Sequence, residues 1–103
     1  FGVIEIKDKK IITIEEKPKN PKSNYIVTGL YCYSADVFDK IKTLRPSPRG
    51  ELEITDINNL YLKENNLSFG YVRGFWSDAG TFSSLLKSAE WVAKQKKDEF
   101  KLR

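Results

Sequence analysis

The sequence predicts an α/β fold around a mixed sheet, and three observations carry that expectation. Two short Ile- and Val-rich runs at the start, residues 1–6 and 11–16, alternate apolar with polar residues at the period of a strand. Three later segments repeat apolar residues at helical spacing. The resulting order is strand, strand, strand, helix, helix, strand, helix, without the strict alternation of a simple βαβ series. With 103 residues, 40% of them hydrophobic, the chain is the size of one domain with one core.

Phe1 to Ile6 and Ile11 to Glu16 are the first two strands, and Lys7-Asp8-Lys9-Lys10 is a polar link of hairpin length. Ile12 and Ile14 alternate with Thr13 and Glu15, which puts Glu16 on the isoleucine face. A carboxylate there needs an ion pair, a hydrogen bond or a ligand cleft, because an unpaired buried charge is costly. Pro18 has no N–H to donate and stops the ladder just after Lys17. Lys17 to Asn24 is an ordered loop that feeds a third strand, Tyr25 to Tyr33. Val27, Gly29, Tyr31 and Tyr33 share one face of that strand, and Gly29 removes a side chain where a backbone or a ligand comes close.

Ser34 is the expected cap of a helix through Leu44, with Val37, Phe38, Ile41 and Leu44 on its inner side. The helix ends before Pro46, and Arg45 to Gly50 form a second loop carrying Arg49. Thr55 is the expected cap of the next helix, which runs to about Asn65 with Ile57, Leu60 and Tyr61 as its buried stripe. Leu67 to Arg73 reads as a fourth strand. Thr81 caps the last helix, whose apolar face is Phe82, Leu85, Leu86, Ala89, Val92 and Ala93, with Lys94, Lys96 and Lys97 suiting its C-terminal dipole. Phe75 and Trp76 read as core. A sheet that starts at full stride at Phe1, in a chain without methionine, is read as a processed product or a fragment.

Composition excludes several chemistries. The chain has no histidine and one cysteine, Cys32, so an internal disulfide, a Cys/His zinc site and a histidine-based triad are all ruled out within it. A reducing, cytoplasmic setting fits that usage, and no apolar run reaches the roughly 18 residues of a spanning helix. The net charge of +4 comes from dispersed lysines, which favours solubility over a nucleic-acid partner.

The residues left to carry chemistry are Glu16 and Lys17 at one strand end, Gly29, Arg49 and Asp78. Glu16 is suited to accept sugar hydroxyls, or else to pair with a nearby lysine. Lys17 and Arg49 are each suited to a phosphate, or else to solvent. Asp78, between Trp76 and Gly80-Thr81, is suited to a hard metal or to an Asx-type cap.

These residues lie in three blocks that resemble the sugar nucleotidyltransferases, most closely the glucose-1-phosphate thymidylyltransferase branch. The blocks are Glu15-Glu16-Lys17-Pro18 with Pro21-Lys22-Ser23-Asn24 and Thr28-Gly29-Leu30-Tyr31, then Arg49-Gly50-Glu51-Leu52-Glu53-Ile54-Thr55-Asp56-Ile57-Asn58, then Trp76-Ser77-Asp78-Ala79-Gly80-Thr81. The resemblance implies a Rossmann-like, mixed-sheet nucleotidyltransferase fold, with residues 1–103 as its C-terminal, sugar-phosphate-binding half and the nucleotide-binding half absent. It implies that Gly2 and Glu16 bind sugar hydroxyls, that Lys17 and Arg49 meet the phosphate, and that Val27, with Gly29 nearby, lines the pocket. It further implies that Asp78 is one of two aspartates holding Mg2+. The family reaction joins glucose 1-phosphate and dTTP into dTDP-glucose and pyrophosphate, for polysaccharide synthesis, commonly in homotetramers. The family's glycine-rich triphosphate loop has no counterpart here, so the chain alone is expected to be inactive. Uridylyl transfer and a non-catalytic sugar-phosphate-binding domain are the alternatives.

Overall fold

The computed structural model describes residues 1–95, and it divides into two compact units, Phe1–Gly70 and the part from Tyr71 onward. The first unit opens with an antiparallel hairpin of β1 (Gly2–Lys7) and β2 (Lys10–Glu16). Asp8 and Lys9 both take positive φ, 50° and 62°, as a two-residue turn of the twist-matching kind requires.

The register explains which isoleucines are inside. Gly2 faces Glu16, Ile4 faces Ile14 and Glu5 faces Thr13, but Ile6 faces Ile11, so Ile12 is an extra residue in a bulge. That one-residue insertion flips the side-chain parity of β2. Ile11, not Ile12, therefore joins Ile14 and Glu16 on the inner face, and Ile12 is thrown outward, 48% exposed.

The third expected strand is not one. Residues 25–27 make a short antiparallel bridge to β1, with Ile4 N–H donating to Tyr25 O at 3.0 Å and Val27 N–H to Gly2 O at 2.9 Å. Gly29 then takes φ 83° and bends the chain away. Residues 67–73 are not strand either, so the sheet has two strands where four were expected. An extended run becomes a strand only when a neighbour completes its ladder, and neither run has one along its length among the described residues. Cys32 is correspondingly exposed, outside any strand.

Two helices complete this unit, α1 (Val37–Thr43) and α2 (Ile54–Lys63). Asp36 is the N-terminal flanking residue of α1, and the Ser34 hydroxyl bonds to the Asp36 carboxylate instead of capping the helix. Val37, Ile57 and Tyr61 form the core, with Tyr33, Leu44, Leu60 and Leu67 packed on it. Phe38 and Ile41, expected inside, are exposed. Asn65, at φ 53°, and Asn66 close α2, their N–H groups donating to Leu62 O and Tyr61 O. The Asn59 amide donates to Ile14 O at 3.1 Å and ties α2 to β2.

In the second unit, Thr81 caps α3 (Phe82–Gln95). Its hydroxyl accepts the Ser84 N–H at 3.1 Å, and the Ser84 hydroxyl returns to the Thr81 N–H. No residue of α3 is buried, so its apolar stripe is exposed, and Phe75 stacks on Trp91 at 4.9 Å instead of entering a core. Lys96 and Lys97 lie outside the described residues.

Candidate functional site

Four segments meet at the open end of the hairpin. Gly2 begins β1 opposite Glu16, the bridge through Val3 and Ile26 lays Val27 beside Gly2, and the first turn of α2 brings in Thr55. A β-carbon placed on Gly2 would lie 3.2 Å from Thr55 Oγ1, 3.4 Å from Val27 Cγ2 and 3.6 Å from Glu16 Oε2. The glycine is thus what lets strand end, helix and bridge close on one point.

Thr55 is buried and does not cap its helix; its hydroxyl donates to Glu16 Oε2 at 2.6 Å. Glu53 takes the flanking position, with no side-chain cap. The neighbouring carboxylate is treated differently, since Glu15 pairs with Lys22 Nζ at 2.6 Å and raises the lysine pKa by hydrogen bonding and charge. Glu16 has no basic partner among the described residues. Its oxygen is fixed by a neutral donor, and its charge reaches Tyr31, whose hydroxyl pKa is raised first by desolvation and then by Glu16.

Lys17 follows at φ 41°, a left-handed conformation that is sparsely populated, and more so before a proline. Its N–H donates to Phe1 O at 3.1 Å, while its exposed side chain has no carboxylate partner among the described residues. Arg49 sits in the turn before α2, where its guanidinium meets Glu51 Oε2 at 3.0 Å and Glu53 Oε1 at 3.4 Å. No hydrogen bond or ion pair joins it to Gly2, Glu16, Lys17 or Val27 among the described residues. Gly29 is different again: a β-carbon there would meet nothing within 4 Å, so its positive φ, not crowding by protein atoms, calls for glycine.

Asp78 belongs to the second unit. It is exposed, and its Oδ2 would lie 3.3 Å from a β-carbon on Gly80. It does not cap α3, since Thr81 and Ser84 do so between themselves. Among the described residues no group of three or more His, Cys, Asp or Glu is placed to hold a metal. A lone exposed carboxylate still fits Mg2+, which keeps water and is held by one or two carboxylates plus substrate phosphates. Among the described residues no helix is long and apolar enough to cross a membrane.

Residues 1–95 match the family model described as nucleotidyl transferase. The chain belongs to the nucleotidyl transferase family. It is 47% identical over 95 residues to the glucose-1-phosphate thymidylyltransferase of Neisseria meningitidis, covering 89% of this chain and 33% of the relative. It is 43% identical over 102 residues to the bifunctional protein GlmU of Methanococcus aeolicus, covering 98% of this chain and 25% of that one. A Bacillus anthracis protein, crystallised in complex with a sucrose as a candidate glucose-1-phosphate thymidylyltransferase, superposes with a TM-score of 0.79 at 57% identity over 88% of this chain and 37% of its own. The small sheet and three helices of the described residues are thus a portion of the nucleotide-diphospho-sugar transferase fold, and the chain spans between 25% and 37% of the length of these matched proteins.

Within this candidate site, sequence reasoning missed Thr55 as the partner of Glu16 and Tyr31 as its neighbour. The available signal was Thr55 with Asn58 three residues on, two polar groups flanking the Ile57 and Tyr61 stripe, both of them buried.

Proposed function

We propose that this chain is the sugar-phosphate-binding part of a nucleotidyltransferase that joins glucose 1-phosphate to dTTP, giving dTDP-glucose and pyrophosphate. The observation that carries the reading is the unequal treatment of two adjacent carboxylates. Glu15 is neutralised by Lys22, whereas Glu16 is held by the Thr55 hydroxyl and keeps its charge and Oε1 for a ligand. A carboxylate with spare lone pairs accepts two sugar hydroxyls, and Gly2 lets Val27 and Thr55 close up beside it. The relatives' names support thymidylyl over uridylyl transfer.

The roles follow from position. Glu16 orients the sugar, Val27 gives an apolar wall, and Lys17, one residue on and without a carboxylate partner among the described residues, takes the 1-phosphate. Arg49 joins that phosphate by exchanging its exposed partner Glu51 for it, since a bidentate guanidinium–phosphate pair replaces a screened surface one. Holding the acceptor phosphate in line with the nucleotide α-phosphorus is where binding becomes catalysis, because positioning removes most of the entropic barrier. Asp78 would hold Mg2+, which when bound supplies charge stabilisation on the transferring phosphoryl group. The reading includes a cytoplasmic enzyme that assembles as a homotetramer, on the strength of the family resemblance.

The test is a coupled pyrophosphate assay with Mg2+, dTTP and glucose 1-phosphate. The full-length protein releases pyrophosphate; the 103-residue chain binds glucose 1-phosphate and releases none. Pyrophosphate from the chain alone refutes the division of labour, and a full-length protein inert with dTTP refutes the function.

A further inference from the structure

At the other end of the hairpin lies a cavity of about 340 Å³, lined by Lys9, Lys10 and Ile11 of the turn and β2, and by Leu62, Asn65, Leu67, Ser68 and Phe69 at and beyond the end of α2. From Lys10 to Glu16 β2 takes six steps, which at about 3.3 Å per residue is roughly 20 Å, so this cavity is separate from the Glu16 site. Its size falls at the small end of small-molecule sites.

The lining has two chemistries. Ile11, Leu62, Leu67 and Phe69 supply apolar surface, while Asn65 and Ser68 offer an amide and a hydroxyl. Lys9 and Lys10 are the basic residues that line this cavity, and, like Lys7, Lys17, Lys19, Arg45 and Lys63, they have no carboxylate partner among the described residues. Their charges are therefore left for a ligand at the cavity, unlike those of Lys22, Lys40, Lys42 and Arg49, which go to carboxylates. The competing explanation is that they offset the C-terminal dipole of α2. That need is reduced here, because the carbonyls of Leu60, Tyr61 and Leu62 already accept from Glu64, Asn65 and Asn66 N–H groups.

We propose that this cavity binds a small amphipathic anion, an organic phosphate or carboxylate whose apolar body rests on Leu62, Leu67 and Phe69 while its charge meets Lys9 and Lys10. The site is independent of the sugar-phosphate reading.

The experiment is an amide chemical-shift titration of the 103-residue chain with phenyl phosphate, and separately with phenylacetate, benzyl alcohol and inorganic phosphate. Both organic anions are expected to saturate shifts at Lys9, Lys10, Asn65, Ser68 and Phe69 and to leave Gly2, Glu16 and Lys17 unmoved. A response to only one of them identifies the head group. Benzyl alcohol and inorganic phosphate, each with half of the chemistry, are expected to bind at least about tenfold more weakly. The exposed double substitution Lys9→Gln/Lys10→Gln is expected to weaken phenyl phosphate at least about tenfold. Absence of saturable shifts at the cavity with either anion overturns the proposal, as does equal affinity for benzyl alcohol or in the double variant. Glucose 1-phosphate titrated in parallel reports on Gly2, Glu16 and Lys17, so each site fails or succeeds by itself.

Discussion

Thr55 is the residue on which the proposed sugar-binding geometry depends, and replacing it with valine isolates the hydroxyl. Valine keeps the volume and the buried methyl, and removes only the donor 2.6 Å from Glu16 Oε2. A hydrogen bond to a charged group contributes about 1.5–3 kcal/mol. Glu16 is half-buried, so water replaces part of that bond and the lower end applies. Without this bond, binding itself has to order the Glu16 side chain, and since about 1.4 kcal/mol is a factor of ten, Thr55→Val is expected to weaken glucose 1-phosphate by up to about tenfold by isothermal titration. Thr55→Ser separates binding from packing. It keeps the hydroxyl and loses one buried methyl, so unfolding in urea shifts by about 1 kcal/mol while affinity stays near that of the parent. Undiminished affinity in Thr55→Val, or equal losses in the two variants, refutes a positioning role for this hydroxyl.

Further expectations concern the core, the tyrosines and the second unit. Ile57, at 1% exposure, is the most buried side chain described, and Ile57→Ala is expected to lower urea stability by about 2–5 kcal/mol; a loss below about 1 kcal/mol contradicts the assigned core. Tyr33 donates to the buried Asn58 Oδ1 at 2.7 Å, and desolvation, with smaller contributions from Tyr31 and Tyr61, pushes its pKa up to about 12. A raised phenol pKa stabilises the folded chain fully below its unfolded value near 10, and the contribution is lost as pH rises through 12. Stability should therefore fall across that window, and Tyr33→Phe should flatten the fall; an unchanged slope in the variant counts against the assignment. Asp78→Asn in the full-length protein should abolish Mg2+-dependent turnover with little change in glucose 1-phosphate affinity, whereas unchanged turnover removes Asp78 from the metal site.

What was legible in the sequence follows from the range of the forces involved. The hairpin, the two long helices and the Thr81 cap are set by residues within a few positions of one another, and pattern reading found each. The bulge at Ile12 is a pairing property that alternation does not encode, so Ile12 was expected on the face that Ile11 occupies. The runs 25–33 and 67–73 carry strand-like composition, but a strand also needs a neighbour, and composition is silent about neighbours. Thr55 shows the same division. Its place at a helix start suggested a local cap, and the tertiary contact with Glu16, 39 positions away, took its hydroxyl instead. Glu16 itself was legible as a carboxylate on an inward face. That its lysine partner would go to Glu15 was not, because the loop geometry that carries Lys22 decides it.

The charge of Glu16, without a basic partner among the described residues, is the central claim, and one titration tests it most directly. Glucose 1-phosphate is added to the 103-residue chain and to its Glu16→Gln variant, with heat and amide shifts followed together. The parent should bind with one-to-one stoichiometry and move Gly2, Glu16, Lys17 and Val27, while Glu16→Gln, still folded, should bind at least about tenfold more weakly. Equal affinity in the two chains, or shifts that avoid this end of the hairpin, contradicts the account.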